Sequence, residues 1–301
     1  MKTVERLVLL PVFVLLVFTS CDKIDEPVII IDEQNITDGL LDDNYVMDSV
    51  TVTRKQVLLE DFTGHKCVNC PEAALAAQAL AEELNHKLVI YSIHAGYYAE
   101  PDQTGDFTAD YRCPEGNQLD AEFNVQANPT GLINRVVYNG SILVGAGNWE
   151  AAVKDELEKV NSVDLKVRNI YYPDLNKTQI SVFTRFHAPS TDKYMLVVYL
   201  VEGKIVSPQK NNNEGIGPTP VWLLYEHHNI LRTSINTTFG GPVTTDETVE
   251  VNKEYSNHFI VDLSQYPEDW IIGNCNLIAY VYNDETKEIL QVAELAIKTE
   301  K

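Results

Sequence analysis

Val57-Leu58-Leu59-Glu60-Asp61-Phe62-Thr63-Gly64-His65-Lys66-Cys67-Val68-Asn69-Cys70-Pro71 carries an apolar run straight into two cysteines spaced by two residues. The run 57–62 reads as a short strand that ends at Thr63-Gly64. Pro71 then opens Glu72 to Leu84, rich in Ala, Leu, Glu and Gln with no breaker, which predicts a helix with proline in its first turn. Lys87 to Ile93 is a near-continuous apolar strand of the kind buried on both faces of a parallel sheet. Strand, cysteine turn, helix and strand make a βαβ unit with the cysteines at its strand-to-helix turn.

Two thiols on the first turn of a helix can close an intramolecular disulfide, and the positive end of the helix favours the thiolate of the first. Cys67 is then the nucleophile toward a partner disulfide, and Cys70 resolves the mixed disulfide. The same spacing is half of a zinc site, which needs a second ligand pair. Cys113 and Cys275 stand alone, and His65, His94 and His227-His228 form no ligand motif, so neither metal nor cofactor is expected. Cys113 and Cys275 are read as a bridge, as free buried thiols, or in the case of Cys113 as a third redox thiol.

Beyond the βαβ unit, Ala95 to Gly116 is polar, aromatic and turn-rich, and its Tyr97, Tyr98, Phe107 and Tyr111 either pack on their own domain or rim a groove beside Cys67. Gln118 to Phe123 resumes a helix. Asn139-Gly140 between apolar runs signals a hairpin, and Trp149, Val153, Leu157 and Val160 share one helical face. From Val163 the texture changes to short strands: 163–170, 179–186, 194–201, 248–251, 259–263, 277–282 and 288–296. Residues 207–220 read as an extended loop and 230–242 as irregular. The pattern predicts an antiparallel β-sandwich in the second half.

At the other end, Lys2 and Arg6 precede an apolar run from Leu7 to Phe18 and then Thr19-Ser20-Cys21, the order of a secretory signal. The segment resembles a lipobox, with Phe18 where the pattern usually has Leu. Residues 1–20 are therefore read as a lipoprotein signal peptide, Cys21 as the lipidated residue and membrane anchor, and 21–50 as a flexible tether. The folded part divides into 51–161 and 162–301. A formal charge of −21 repels phosphate backbones and argues against nucleic-acid binding.

In Asp61-Phe62 before Cys67-Val68-Asn69-Cys70, the second strand, and Asn128-Pro129-Thr130, taken in that order, the sequence resembles the thioredoxin superfamily. The resemblance implies a thioredoxin-like first domain, and with the strand pattern beyond Val163 the expected fold class is an α/β thioredoxin-like domain followed by an all-β, immunoglobulin-like antiparallel sandwich domain. It implies that Pro129 is cis and, with Asn128 and Thr130, positions a substrate. It also implies that Asp61 is a buried carboxylate accepting the proton of Cys70. The family's usual aromatic residue before the first cysteine is Lys66 here, and Val68-Asn69 replaces Gly-Pro. Lys66 and His65 either depress the Cys67 pKa or belong to a solvated turn.

The lipoprotein start, the Leu58 to Pro71 segment, Asn128 to Gly131 and the β-rich second half together resemble the outer membrane protein 28-related lipoproteins of Bacteroides-type bacteria. That resemblance implies outer-membrane anchoring. Two functions follow as expectations: thiol-disulfide exchange on the thiols or disulfides of exported proteins, or a non-catalytic surface binding or adhesion lipoprotein. In the second, Cys67–Cys70 is a structural disulfide and the β-sandwich meets a surface ligand.

Overall fold

Alternation at period two and a single apolar helix stripe build the elements. The computed structural model describes residues 53–297 and the two-residue strand β1 (Val28–Ile29). Cys21, the signal peptide and nearly all of the tether lie outside the described residues. β2 (Val57–Thr63), α1 (Cys70–Glu83) and β3 (Leu88–His94) follow in order, and the segment 95–113 leads to α2 (Pro114–Phe123). Then come β4 (Thr130–Ile133), β5 (Val144–Gly145) and α3 (Trp149–Leu157). The second half holds β6 (Val163–Tyr172), β7 (Lys177–Phe186), β8 (Tyr194–Glu202), β9 (Ile205–Lys210), β10 (Val221–His227) and β11 (Ile230–Ser234). β12 (Gly241–Pro242), β13 (Glu254–Asp262), β14 (Cys275–Asn283) and β15 (Ile289–Ala296) complete it.

The helices form where the sequence favours them. In α1, Pro71 fills the first turn, where its missing N–H costs nothing, and Ala73, Ala77 and Leu80 at helical spacing are buried. In α2 the Cys113 sulfur accepts from the Gly116 N–H at 3.3 Å, satisfying one orphan donor of the helix start. α3 buries Trp149, Ala152, Val153 and Glu156 and stops at Leu157. Val160, expected on its apolar face, lies past the helix and is 91% exposed.

The predicted fold class is corrected by the sheet. Among the described residues strand and helix make up 41% and 20%, so they are mostly β, and no thioredoxin-like α/β arrangement is evident among them. Instead β15-β14-β8-β11-β3-β2-β4-β5 run side by side in one mixed sheet. The physical reason is β11, read from sequence as irregular because only Ile230 and Leu231 are apolar. It pairs in parallel with β3 (Ile230 opposite Ser92) and antiparallel with β8 (Leu231 opposite Val201). The edge that would have bounded the first half is thereby continued by strands of the second.

The sandwich character of the second half has a concrete basis. A second sheet, in order β1-β13-β7-β6, faces β8 and β14. Ile180, Val182, Phe259 and Val261 meet Leu196, Val198, Leu200, Leu277 and Ala279 in one core. The alternate residues Val197, Tyr199, Val201, Ile278 and Tyr280 join Leu58, Phe62, Val89 and Tyr91 in another. β8 and β14 are therefore apolar on both faces, which is why Tyr194 to Val201 reads as a continuous hydrophobic run. A third core packs α1 and α3 on Val57, Leu59 and Leu88. Residues 248–251, expected as a strand, contribute a single bridge between Val249 and Ser190.

Glu60 sits among these apolar residues fully buried, and Arg135 reaches it with Nε and Nη2, each at 2.7 Å. Tyr91 donates its hydroxyl to Glu60, and Arg135 donates to the Tyr280 hydroxyl at 2.8 Å. A buried charge is tolerable only when paired and hydrogen-bonded, and here the pairing binds β2 and β3 to β14 across the sheet.

Candidate functional site

The Cys67–Cys70 turn leaves β2 through Gly64, whose absent side chain lets the backbone of Tyr98 approach. A Cβ at Gly64 would lie 2.4 Å from the Tyr98 carbonyl carbon. The Cys67 N–H returns to Gly64 O at 2.9 Å, and the Lys66 N–H donates to Tyr98 O at 3.0 Å. Cys67 and Cys70 are joined in a disulfide and are only 2% and 3% exposed.

The second half of the chain holds this turn by hydrogen bonds. β9 and β10 pair with each other as a two-stranded hairpin, and the end of β9 lies along the cysteine turn. The Lys210 N–H donates to His65 O at 2.8 Å, and the Asn212 N–H donates to Val68 O at 3.2 Å. Gln209, 2% exposed, donates from Nε2 to Cys67 O at 2.9 Å and to Gly64 O at 3.3 Å. The Asn212 amide donates to the Asn69 side chain at 2.8 Å. Asn211 is 1% exposed and holds the loop beyond β9 by donating to the carbonyls of Asn213, Gly217 and Pro218. The expected extended loop 207–220 is in part β9, and its Asn211-Asn212-Asn213 tract is a set of side-chain clasps.

Beside the disulfide lies an aromatic cluster: His65 from the cysteine turn, His94 from β3, Phe107 and Tyr111 from the segment before α2, and Tyr225 and His227 from β10. Ring centroids are 5.5 Å apart for His65–Phe107, 5.4 Å for His94–Tyr111 and 5.5 Å for His94–His227. Burial lowers the pKa of all three histidines, pushing His227 down to about 3 and His94 well below its ordinary value. The cluster is therefore neutral at pH 7. Lys66 is paired with Asp102 at 3.0 Å. His65 is buried, whereas Lys66 is half-buried and Val68 and Asn69 of the same turn are exposed. His65 is 1% exposed, and no group of three or more His, Cys, Asp or Glu among the described residues is placed to hold a metal ion.

The other predicted positions are dispersed around this turn. Asp61, on the α1 side of β2, is 2% exposed with Oδ1 unpartnered, and burial pushes its pKa up to about 7. Burial raises the pKa of Tyr225 on β10, and the charge of Asp61 adds to that rise. The Asn128–Pro129 peptide is cis. Asn128 donates from Nδ2 to Thr63 O at 3.2 Å, next to the cysteine turn. The Thr130 hydroxyl is turned to Val144 O, toward β5. Cys113 and Cys275 are both free and buried, and burial pushes each thiol up to about 12, which disfavours the thiolate. Gln209, Tyr225 and His227 were not legible as part of the site, because their place depends on a hairpin some 140 residues downstream.

The family pattern described as outer membrane protein Omp28 matches residues 116–301, more than half of the chain. HBP35 of Porphyromonas gingivalis is 14% identical with a TM-score of 0.57, over 82% of this chain and 76% of that one, which shows a shared fold. A protein of Agrobacterium tumefaciens aligns at 12% identity and a TM-score of 0.48 over 83% and 98% of the two chains. A domain of the outer membrane lipoprotein Omp28 from Porphyromonas gingivalis aligns at 19% identity and a TM-score of 0.29 over 46% and 91%. No curated protein matches the chain.

Proposed function

Since the chain belongs to the outer membrane protein Omp28 family and so to the outer membrane, we propose that it is a non-catalytic binding lipoprotein. In this reading Cys21 carries the lipid anchor, Cys67–Cys70 is a structural disulfide, and the β-rich body presents the working surface. The observation that carries it is the cover over the disulfide. Gln209, Lys210 and Asn212 hydrogen-bond the cysteine turn from His65 to Asn69, leaving Cys67 2% exposed. Thiol-disulfide exchange requires a thiolate to reach a sulfur in line, and access limits its rate as strongly as pKa does. Burial of both cysteines beside this hydrogen-bonded segment supports restricted access to the sulfurs.

The test is thiol chemistry on the full chain. The folded protein is expected to keep its disulfide in millimolar glutathione, to give no turnover in insulin reduction or in oxidation of a reduced substrate protein, and to form no mixed disulfide as Cys70→Ser. Turnover, or an exported protein trapped on Cys67, would refute the structural role and restore the exchange reaction.

A further inference from the structure

The β9–β10 hairpin belongs to neither large sheet. It leaves β8 through Gly203-Lys204 and rejoins the body through His228-Asn229, and each joint holds one residue in left-handed backbone, Lys204 at φ 58° and Asn229 at φ 49°. The two joints lie side by side, since a Cβ on Gly203 would stand 3.7 Å from the Asn229 nitrogen. Both are pinned to the body. The Gly203 N–H donates to Asn274 O at 3.0 Å, and the Asn229 side chain donates to Ile90 O at 3.0 Å. Between these fixed points the hairpin has the form of a flap on one hinge, and its far end is latched to the cysteine turn through Gln209, Lys210 and Asn212.

Three imidazoles from three elements meet where the flap lies on the body. His94 of β3 stands 5.5 Å from His227 of the flap and 6.4 Å from His65 of the cysteine turn, between ring centroids, and none is more than 4% exposed. Tyr111 packs 5.4 Å from His94 and 5.5 Å from His227, Tyr225 lies 4.8 Å from His227, and Phe107 is beside His65. His65 Nε2 meets only a carbonyl, Glu100 O at 3.3 Å, while His94 Nδ1 and His227 Nε2 meet no polar partner. The histidines that pair with carboxylates are elsewhere, at 187 and 228.

A proton on any of the three would be a buried charge without a counter-charge, set against two further imidazoles. Arg232, tied to Glu202 and 5.6 Å from the Tyr111 ring, adds to that cost at His94 and His227, as His228 does at His227. Lys66 acts in the same sense on His65, while Asp102 and Asp110 oppose it. Asp61 of β2 works the other way. Burial pushes its carboxyl up to about 7, so acid keeps it neutral in place.

We propose that the β9–β10 hairpin is an acid-released flap: protons taken up by His65, His94 and His227 part it from the body about the joints at 203–204 and 228–229. Release wets the rings beneath and loosens the cysteine turn from Gln209, Lys210 and Asn212. The proposal rests on the hydrogen-bonded cover of that turn and holds whether or not the disulfide exchanges.

The size of the effect follows from linkage. Imidazoles wetted by release regain their ordinary value of about 6.5, and each then favours the released form about 30-fold more at pH 5 than at pH 7.5. His94 and His227 together give about 900-fold. Asp61, if wetted at the same time, takes back about 70-fold, which leaves a rise of at least about 10-fold in the released population.

Hydrogen exchange of the purified full chain at pH 5 and 7.5, corrected for the intrinsic rate at each pH, tests this on peptides spanning 205–212 and β14. At pH 5 the 205–212 amides are expected to exchange at least about 100-fold faster than those of β14, as in a local opening. Their protection should be at least about 10-fold lower than at pH 7.5. His94→Phe combined with His227→Phe keeps rings in an aromatic cluster and should abolish that drop, whereas Asp61→Asn should enlarge it. Exchange of 205–212 at the rate of β14, equal protection at the two pH values, or a drop that the double variant keeps in full overturns the proposal. The wild-type comparison decides the matter even where the double variant fails to fold. Amide protection is the readout, so failure here is separate from the thiol assays that test the structural disulfide.

Discussion

The side-chain amide of Gln209 lies 2.9 Å from the carbonyl oxygen of Cys67, so β9 is stitched to the cysteine turn at the nucleophile position itself. The same nitrogen also serves Gly64 O and Lys210 O, and one substitution therefore removes a donor from three carbonyls, of which Gly64 O keeps the Cys67 N–H. Losing buried hydrogen bonds of this kind costs about 1–3 kcal/mol. In Gln209→Ala the local opening that exposes Cys67 becomes more frequent, and dithiothreitol is expected to reduce the folded protein about 10-fold faster. Mass spectrometry of alkylated thiols over time measures this. A rate equal to wild type would mean that Gln209 does not gate access.

Much of the local structure was legible before the fold was known. The run 57–62, the proline-led helix and the apolar strand 87–93 appear close to where periodicity puts them, because each satisfies its own pattern without distant help. Asn139 and Gly140, both at positive φ, make the tight turn that their residue types require. What could not be read is how the halves join. Ile230 to Ser234 is too short and too polar to announce a strand, yet it is the strand between β8 and β3 that makes one sheet of two expected units. The disulfide was legible as a motif, whereas its burial under Gln209 to Asn212 is a tertiary property with no local signal.

Arg135 illustrates the same limit and yields a second prediction. It follows Asn134 in a left-handed turn, a position that suggests only a loop, yet it carries the charge that neutralises Glu60. Arg135→Met strands a buried carboxylate and is expected to cost about 3–5 kcal/mol in urea unfolding. Adding Glu60→Leu should recover most of that loss, since an apolar pair of similar volume needs no desolvation of charge. If the double variant is no more stable than Arg135→Met, the cost comes from packing around the Phe123, Tyr280 and Tyr282 rings rather than from the orphaned carboxylate.

The buried titratable groups set the pH dependence, with opposite signs. His94 and His227 have folded pKa values lowered by burial, so the unfolded chain takes up protons first and their stabilisation is lost as pH falls below about 6.5. Asp61, raised from 3.8 to about 7, favours the folded state at low pH, and that contribution fades as pH rises across this window. The histidines outweigh the one aspartate below about 7, so stability should rise with pH to about 7 and change little above it. Asp61→Asn removes the opposing slope. Its unfolding free energy at pH 8 should exceed wild type by up to about 4 kcal/mol, with steeper loss on acidification. Denaturant titrations at pH 5, 6.5 and 8 decide it, and a wild-type-like profile in Asp61→Asn would show that Asp61 does not hold its proton in the folded chain.

Gly64 and Gly145 give the sharpest contrast between sites that look alike in sequence. A Cβ on Gly64 would meet the Tyr98 carbonyl carbon at 2.4 Å and its oxygen at 2.5 Å, and backbone atoms cannot swing aside as a side-chain tip can. Gly64→Ala must therefore push the cysteine turn away from the Tyr98 backbone and strain the Lys66 N–H to Tyr98 O bond, at a cost of roughly 1–3 kcal/mol. Because a displaced turn also strains the bonds from Gln209 to Gly64 O and Cys67 O, reduction of Cys67–Cys70 should accelerate together with the loss of stability. Gly145 has an ordinary extended backbone with φ of −68° and open space where its Cβ would stand. Gly145→Ala restricts only the unfolded chain and should raise stability by up to about 1 kcal/mol while leaving the reduction rate unchanged. Paired melting curves and reduction kinetics on the two variants separate the effects, and equal behaviour of the two would show that the contact between Gly64 and Tyr98 does not clamp the cysteine turn.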